Sequence, residues 1–255
     1  MKLFHRILGK GKPLIILHGL FGLSDNWFTL GKSLSESYEV ILVDLRNHGQ
    51  SPHSSQFTYL SMCEDLLDLY EELHINKAIL LGHSMGGKVA MQFALDNPNF
   101  IDKLIVVDIS PKQTLIKHLE ILEAMLDLNF DKLKTRKEVE QQLELTIKNK
   151  QVLQLLTKNL YWADQTRLAW KLNIEGINNN IDEVFKKITS NIPFTKPTLF
   201  IKGALSDYIK EEGLVLIKSL FPNFMLSTIE NAGHWVHADK PAVFLKTVNE
   251  FLNRS

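Results

Sequence analysis

The sequence predicts an α/β fold: a mostly parallel sheet flanked by helices, with one helical segment inserted between two of its strands. Three observations predict it. Five short runs rich in Ile, Val and Leu carry no polar alternation, which is how strands buried on both faces of a parallel sheet read. Helix-like segments lie between them with short connections, the mark of βαβ units with right-handed crossovers. The chain has 255 residues, 45% of them hydrophobic, which suits one such domain with an insertion, or two modest domains, and a sizeable core.

The elements follow in order. PLIILHG from Pro13 is the first buried run, and WFTLGKSL from Trp27 follows as a helix. EVILVDLR from Glu39 leads to the helical YLSMCEDLLDLYEEL from Tyr59. KAILLGHS from Lys77 runs straight into MGGKVAMQFALDNP from Met85, and KLIVVDIS from Lys103 is the next strand. Later, PTLFIKGALS from Pro197 precedes the helix-like GLVLIKSLFP from Gly213 and a weaker strand, MLSTIENAGH from Met225. PAVFLKTVNEFLN from Pro241 closes the chain; proline fits a first helical turn because its missing N–H has no helical partner there.

From Pro111 to about Ser190 no buried strand is predicted. That region reads as amphipathic helices over 116–128, 136–147, 152–160 and 181–188, charged and rich in Lys, Glu, Gln and Asn. Strand-like runs resume at Pro197, so 111–190 is expected to be an insertion and 1–110 with 191–255 the core.

Charge and cysteine content exclude several classes. Lys+Arg and Asp+Glu number 29 each, with no dense basic run, which argues against nucleic acid or an anionic membrane as main partner. Cys63 is the single cysteine, so no intrachain disulfide forms, and inside a helix-like run it reads as packing. No uncharged apolar run approaches the roughly 18 residues of a membrane span, and the first residues lack a signal-peptide pattern. A cytoplasmic protein is expected. No His-Glu-x-x-His set, thiolate cluster, P-loop or dinucleotide fingerprint is present, so no metal and no cofactor are predicted.

Ligands of open α/β sheets bind beyond the carboxyl ends of the strands. There this sequence places His18-Gly19-Leu20-Phe21-Gly22, Asp44, Gly82-His83-Ser84-Met85-Gly86, Asp108, Asp207 and His234. Gly82-x-Ser84-x-Gly86 follows a buried run and opens a helix, as a nucleophile on a tight strand-to-helix turn requires. A serine hydroxyl needs a base. His234, after Gly233, is preferred over His237, which can sit in the turn before the last helix. The base needs an acid, and two compete. Asp108 ends a strand and is preferred. Asp207 is the alternative: in the expected Gly-x-x-Asp spacing after Gly203 the acid position holds Ser206, and Asp207 comes one residue late. Asp44 is a third carboxylate, read as part of a structural turn with Arg46 as its partner. The backbone N–H groups of Leu20 and Met85 are candidates for an oxyanion hole. Phe21 and Trp235 are candidate linings of an acyl pocket, with Trp162 and Trp170 further candidates.

HGLFG from His18, DLRNHGQS from Asp44, GHSMGG from Gly82 and NAGHWVHADKP from Asn231 resemble the α/β-hydrolase family, over essentially the whole chain. They look like its small YbfF-type acyl esterases. The resemblance implies that the acid follows strand six of the family's sheet, at Asp108. It implies a helical cap between strands six and seven, and hydrolysis of short- to medium-chain acyl esters, with acyl-CoA thioesters as a further class. Two alternatives are a C–C bond hydrolase or pyruvate-eliminating lyase of the same fold, and a non-catalytic ligand-binding protein.

Overall fold

The computed structural model describes residues 1–114 and 119–254. Its strands are β1 (His5–Leu8), β2 (Lys12–Leu17), β3 (Tyr38–Val43), β4 (Ala78–His83), β5 (Ile101–Val107), β6 (Leu160–Trp162), β7 (Leu168–Trp170), β8 (Thr198–Gly203) and β9 (Phe224–Ile229). Its helices are α1 (Phe28–Leu34), α2 (Tyr59–Glu72), α3 (Met85–Asp96), α4 (Leu119–Leu126), α5 (Arg136–Glu144), α6 (Lys150–Thr157), α7 (Ile174–Asn178), α8 (Ile181–Phe185), α9 (Glu211–Leu220), α10 (Val236–Asp239) and α11 (Pro241–Leu252).

Seven strands form one sheet in the order β1-β3-β2-β4-β5-β8-β9, with β1 antiparallel to β3 and the other pairs parallel. Side chains alternate across a strand, so each strand feeds both faces. Ile15, Leu17, Leu80, Leu104 and Val106 pack on one face against Leu66 and Leu69 of α2 and Val89 and Phe93 of α3. Leu14, Ile16, Leu81, Ile105 and Val107 pack on the other against Leu30 and Leu34 of α1 and Phe244, Val248 and Phe251 of α11. Each such residue is worth roughly 1.5–3 kcal/mol when fully buried. Both faces are thus apolar, which is the physical reason the runs lack polar alternation.

Register positions the site. His83 pairs with Val107, and the Ser84 N–H donates to the Val107 carbonyl at 3.0 Å, just past the ends of β4 and β5. The Asp108 N–H donates in turn to the Ile201 carbonyl at 2.8 Å. Ser84 and Asp108 therefore leave adjacent strands side by side.

Between β5 and β8 the described chain holds α4 to α8, and its apolar side chains, among them Leu122, Leu143, Leu156, Ile177 and Phe185, join the cluster on one face of the sheet. Ile116, the expected first residue of a helix here, and His118 lie outside the described residues. Several elements differ from expectation: α7 is not among the expected helices, and those expected over 136–147 and 181–188 end at Glu144 and Phe185. The helix expected over 152–160 ends at Thr157, and Leu160 begins a hairpin of β6 and β7. Asp164 closes that hairpin, its carboxylate accepting from the N–H groups of Thr166 and Arg167 at 2.7 and 2.8 Å. Three-residue strands are too short for a period-2 signal. β1 also went unread, because His5 and Arg6 interrupt its apolar pattern.

Arg46 differs too. Its guanidinium pairs with Asp65 of α2, Nε to Oδ2 at 2.6 Å and Nη2 to Oδ1 at 2.8 Å, and not with Asp44. Asp44 instead accepts from the N–H groups of Ser24 and Gln50 at 2.6 and 2.9 Å, pinning the two turns beside it.

Candidate active site

Ser84 links β4 to α3 with φ 51° and ψ −116°, a conformation that costs a non-glycine residue about 1–3 kcal/mol. The surroundings enforce it. A Cβ on Gly82 would stand 2.2 Å from the Gly86 carbonyl oxygen, and one on Gly86 2.4 Å from that of His18. Only glycine fits on either side of the serine, so the G-x-S-x-G spacing is steric in origin. The turn lifts the hydroxyl above the sheet at the start of a helix.

Asp108 is also left-handed, φ 51°, a state aspartate tolerates better than most residues. It is wholly buried, and Oδ1 accepts from the Gly203 N–H at 3.0 Å. The Ser206 hydroxyl donates to Oδ2. His234 follows β9 through a turn in which Asn231 has φ 55° and the Gly233 N–H donates to Asp239 Oδ2 at 2.7 Å. The His234 carbonyl accepts from His83 Nε2–H at 2.9 Å, and its ring stacks on Tyr208 at 4.1 Å.

These elements bring three predicted residues together. His234 Nδ1 lies 2.8 Å from Asp108 Oδ2, and Nε2 lies 3.0 Å from Ser84 Oγ. A carboxylate only accepts, so Nδ1 carries the proton and Nε2 turns a lone pair to the hydroxyl. Asp207 is elsewhere: its carboxylate is 67% exposed and pairs with Lys210 Nζ at 2.9 Å. The residue at the spacing where an acid was sought, Ser206, reaches the same place as a donor to Asp108.

Next to the serine, the Phe21 N–H donates to His48 Nε2 at 3.2 Å and the Gly22 N–H to the Gly19 carbonyl at 2.9 Å. Among the described residues nothing accepts from the Leu20 N–H. Met85 is the first residue of α3, where an N–H has no carbonyl one turn earlier to meet. Phe21 is held at φ 62°, and its carbonyl accepts from Asn159 Nδ2 at 2.8 Å, which ties this turn to the segment between α6 and β6.

A cavity of about 60 Å³ adjoins Ser84, with Leu20, Phe21, Met85, Lys88, Tyr208 and Trp235 in its wall. A second, of about 280 Å³, lies on the other side of Leu20 and Trp235, against Trp27, Gln151, Gln154, Lys158 and His237. Trp162 and Trp170 line neither: Trp162 is largely exposed, and Trp170 packs edge-on against Phe130 at 5.8 Å. They sit on the hairpin, which the sequence did not disclose. His237 is also apart from Ser84, stacked on Trp27 at 4.1 Å. Cys63 is buried in α2, and burial pushes its thiol well above the usual range.

Two more histidines brace the rim. His18 accepts from the Leu45 N–H at Nε2 and donates from Nδ1 to the Gly19 carbonyl, at 3.0 and 2.8 Å. His48 accepts at Nε2 from Phe21 and donates from Nδ1 to the Arg46 carbonyl at 2.9 Å. Burial pushes His18 down to about 4 and His48 to about 3. Burial, helped by the nearby His234, pushes His237 to about 3. These groups stay neutral when folded while the unfolded chain takes up protons below its ordinary 6.5. Stability is therefore complete above about pH 6.5 and falls as pH drops toward 4, by up to about 1.4 kcal/mol per pH unit for each histidine. Urea titrations at pH 7 and pH 5 are expected to differ by several kcal/mol; coincident curves would contradict the assigned neutral tautomers.

Comparison with known proteins defines the class first. A family model described as the alpha/beta hydrolase fold matches residues 12–241, and the chain belongs to the α/β-hydrolase family. Among particular relatives, it is 38% identical over 252 residues to the sn-1-specific diacylglycerol lipase ABHD11 of Danio rerio, covering 96% of this chain and 79% of that protein. It is 32% identical over 244 residues to Esterase YbfF of Escherichia coli, covering 94% and 93%. A solved structure of a marine microorganism esterase matches with a TM-score of 0.96 at 42% identity, over 98% of this chain and 99% of that one. Relatives named esterases and lipases are in keeping with the expected carboxylic ester hydrolase. Among the described residues no helix is long and apolar enough to cross a membrane.

Proposed function

We propose that this chain is a serine esterase that hydrolyses short- to medium-chain acyl esters through an acyl-enzyme. The observation that carries the reading is the continuous line from Asp108 through the His234 ring to Ser84, with contacts of 2.8 and 3.0 Å. Ser84 Oγ attacks the acyl carbon while His234 Nε2 takes its proton. The carbonyl oxygen becomes an oxyanion held by the N–H groups of Leu20 and Met85. One such donor is typically worth about 10²–10³ in rate. His234 returns the proton to the leaving alcohol as the ester C–O bond breaks. Water, deprotonated by His234, then attacks the acyl-enzyme, and the proton goes back to Ser84. Asp108 keeps the ring in the required tautomer and stabilises the imidazolium.

In this reading residues 111–190 act as a cap over the site. Phe21 and Trp235 line the acyl pocket. At about 60 Å³ this cavity is well below the roughly 150 Å³ of a pocket that takes a benzene-sized group. That supports acyl chains near the short end of the range. A panel from acetyl to decanoyl, run as p-nitrophenyl esters and as CoA thioesters, tests both points. The ester series is expected to peak near butyryl to hexanoyl and to fall by decanoyl. A thioester series turning over faster at every length would move the assignment to thioesters, and turnover of neither would end it.

A further inference from the structure

Lys88 stands on α3 one turn beyond Ser84, and its side chain enters the wall of the same small cavity. It is only 1% exposed. Its Nζ donates to the carbonyls of Lys186 at 2.7 Å and Phe185 at 3.3 Å. An ammonium has three donors, so one N–H remains. Those partners are neutral carbonyls, and among the described residues no charged side chain offsets the loss of hydration, which lowers the ammonium to about 7. The wall around it is otherwise largely apolar, with Ile109, Ile121, Val152, Leu155 and Val184. An isolated buried cation is costly, and an apolar side chain of similar length would fill that wall without the cost. The charge is intelligible if a bound anion completes it.

We propose that Lys88 Nζ is an anion-recognition point in the acyl pocket, selecting acyl groups that end in a carboxylate. The substrates are then monoesters of short dicarboxylic acids, cleaved to the alcohol and the free diacid with one water consumed. The cavity that Lys88 lines is small, about 60 Å³, which favours the shortest diacid chains such as succinyl and glutaryl. The carboxylate replaces the missing counter-charge with a charge-assisted hydrogen bond. This rests on the esterase reading above.

The test compares monoethyl succinate with ethyl 4-methylpentanoate, and monoethyl glutarate with ethyl 5-methylhexanoate, following released ethanol. Each pair has the same shape and differs in charge. The wild-type protein is expected to favour the charged member of at least one pair by roughly tenfold or more in kcat/KM, the worth of one hydrogen bond to a charged group. K88M is expected to reverse that ratio and K88R to retain much of it. If Lys88 were only a peg holding the end of α8, K88M would slow both members alike. An unchanged ratio in K88M overturns the proposal. So does a wild-type ratio at or below one for both pairs, a result that needs no variant to fold. Failure to cleave even the neutral esters would overturn the esterase reading, and this inference with it.

Discussion

Replacing Ser84 by alanine is expected to lower kcat/KM for p-nitrophenyl butyrate by at least about 10⁴-fold while leaving the fold in place. Removing the nucleophile of such a set leaves only the contribution of the oxyanion donors and substrate binding. The fold should survive because the elbow is imposed by its neighbours. Gly82 and Gly86 set the close approach, and the Ser84 N–H and carbonyl are held by the Val107 carbonyl and the Lys88 N–H, both at 3.0 Å. Alanine keeps all of these contacts. Circular dichroism and the urea midpoint should match the wild-type protein, and only turnover should disappear. Residual activity within tenfold of wild type would exclude Ser84 as nucleophile.

Asp108→Asn is expected to cost about 10⁴-fold in kcat, whereas Asp207→Asn should change it less than about twofold. The Gly203 N–H donates to one oxygen of Asp108, so the asparagine keeps its oxygen there. Its NH₂ then faces His234 Nδ1 and the Ser206 hydroxyl, the two partners of the other oxygen. An NH₂ donor against Nδ1 drives the ring proton to Nε2. The nitrogen that must accept from Ser84 is then itself a donor. Asp207, by contrast, makes an exposed ion pair with Lys210, the kind of contact worth at most about 1 kcal/mol. Steady-state rates of the two variants decide which aspartate serves the histidine. The opposite ranking would make Asp207 the third member.

The fold was legible in the sequence where burial leaves a mark on composition. The runs from Pro13, Glu39, Lys77, Lys103 and Pro197 lie in strands buried on both faces, and their apolar content has that cause. β1 and the hairpin of β6 and β7 left little trace, since His5 and Arg6 break the apolar pattern of β1 and strands of three residues are too short to show a period of two. The same division holds at the site. Ser84 carries a local signal, a steric requirement for glycine on either side, and His234 and Asp108 are each placed by the end of a strand. What was not legible depends on three-dimensional approach. Ser206 looked like a missing acid and proves to be a donor to Asp108. Tyr208 stacks on the imidazole, and Arg46 reaches past Asp44 to Asp65. Lys88 sits in the helix-like run from Met85, and its burial depends on carbonyls of Phe185 and Lys186, distant in sequence.

Incubation with a fluorophosphonate followed by peptide mass spectrometry asks whether the Ser84 hydroxyl is activated in place. One adduct is expected on the peptide containing Ser84 in the wild-type protein, strongly reduced in His234→Ala and absent in Ser84→Ala. An unlabelled wild-type protein, or labelling that persists undiminished in His234→Ala, would contradict that activation.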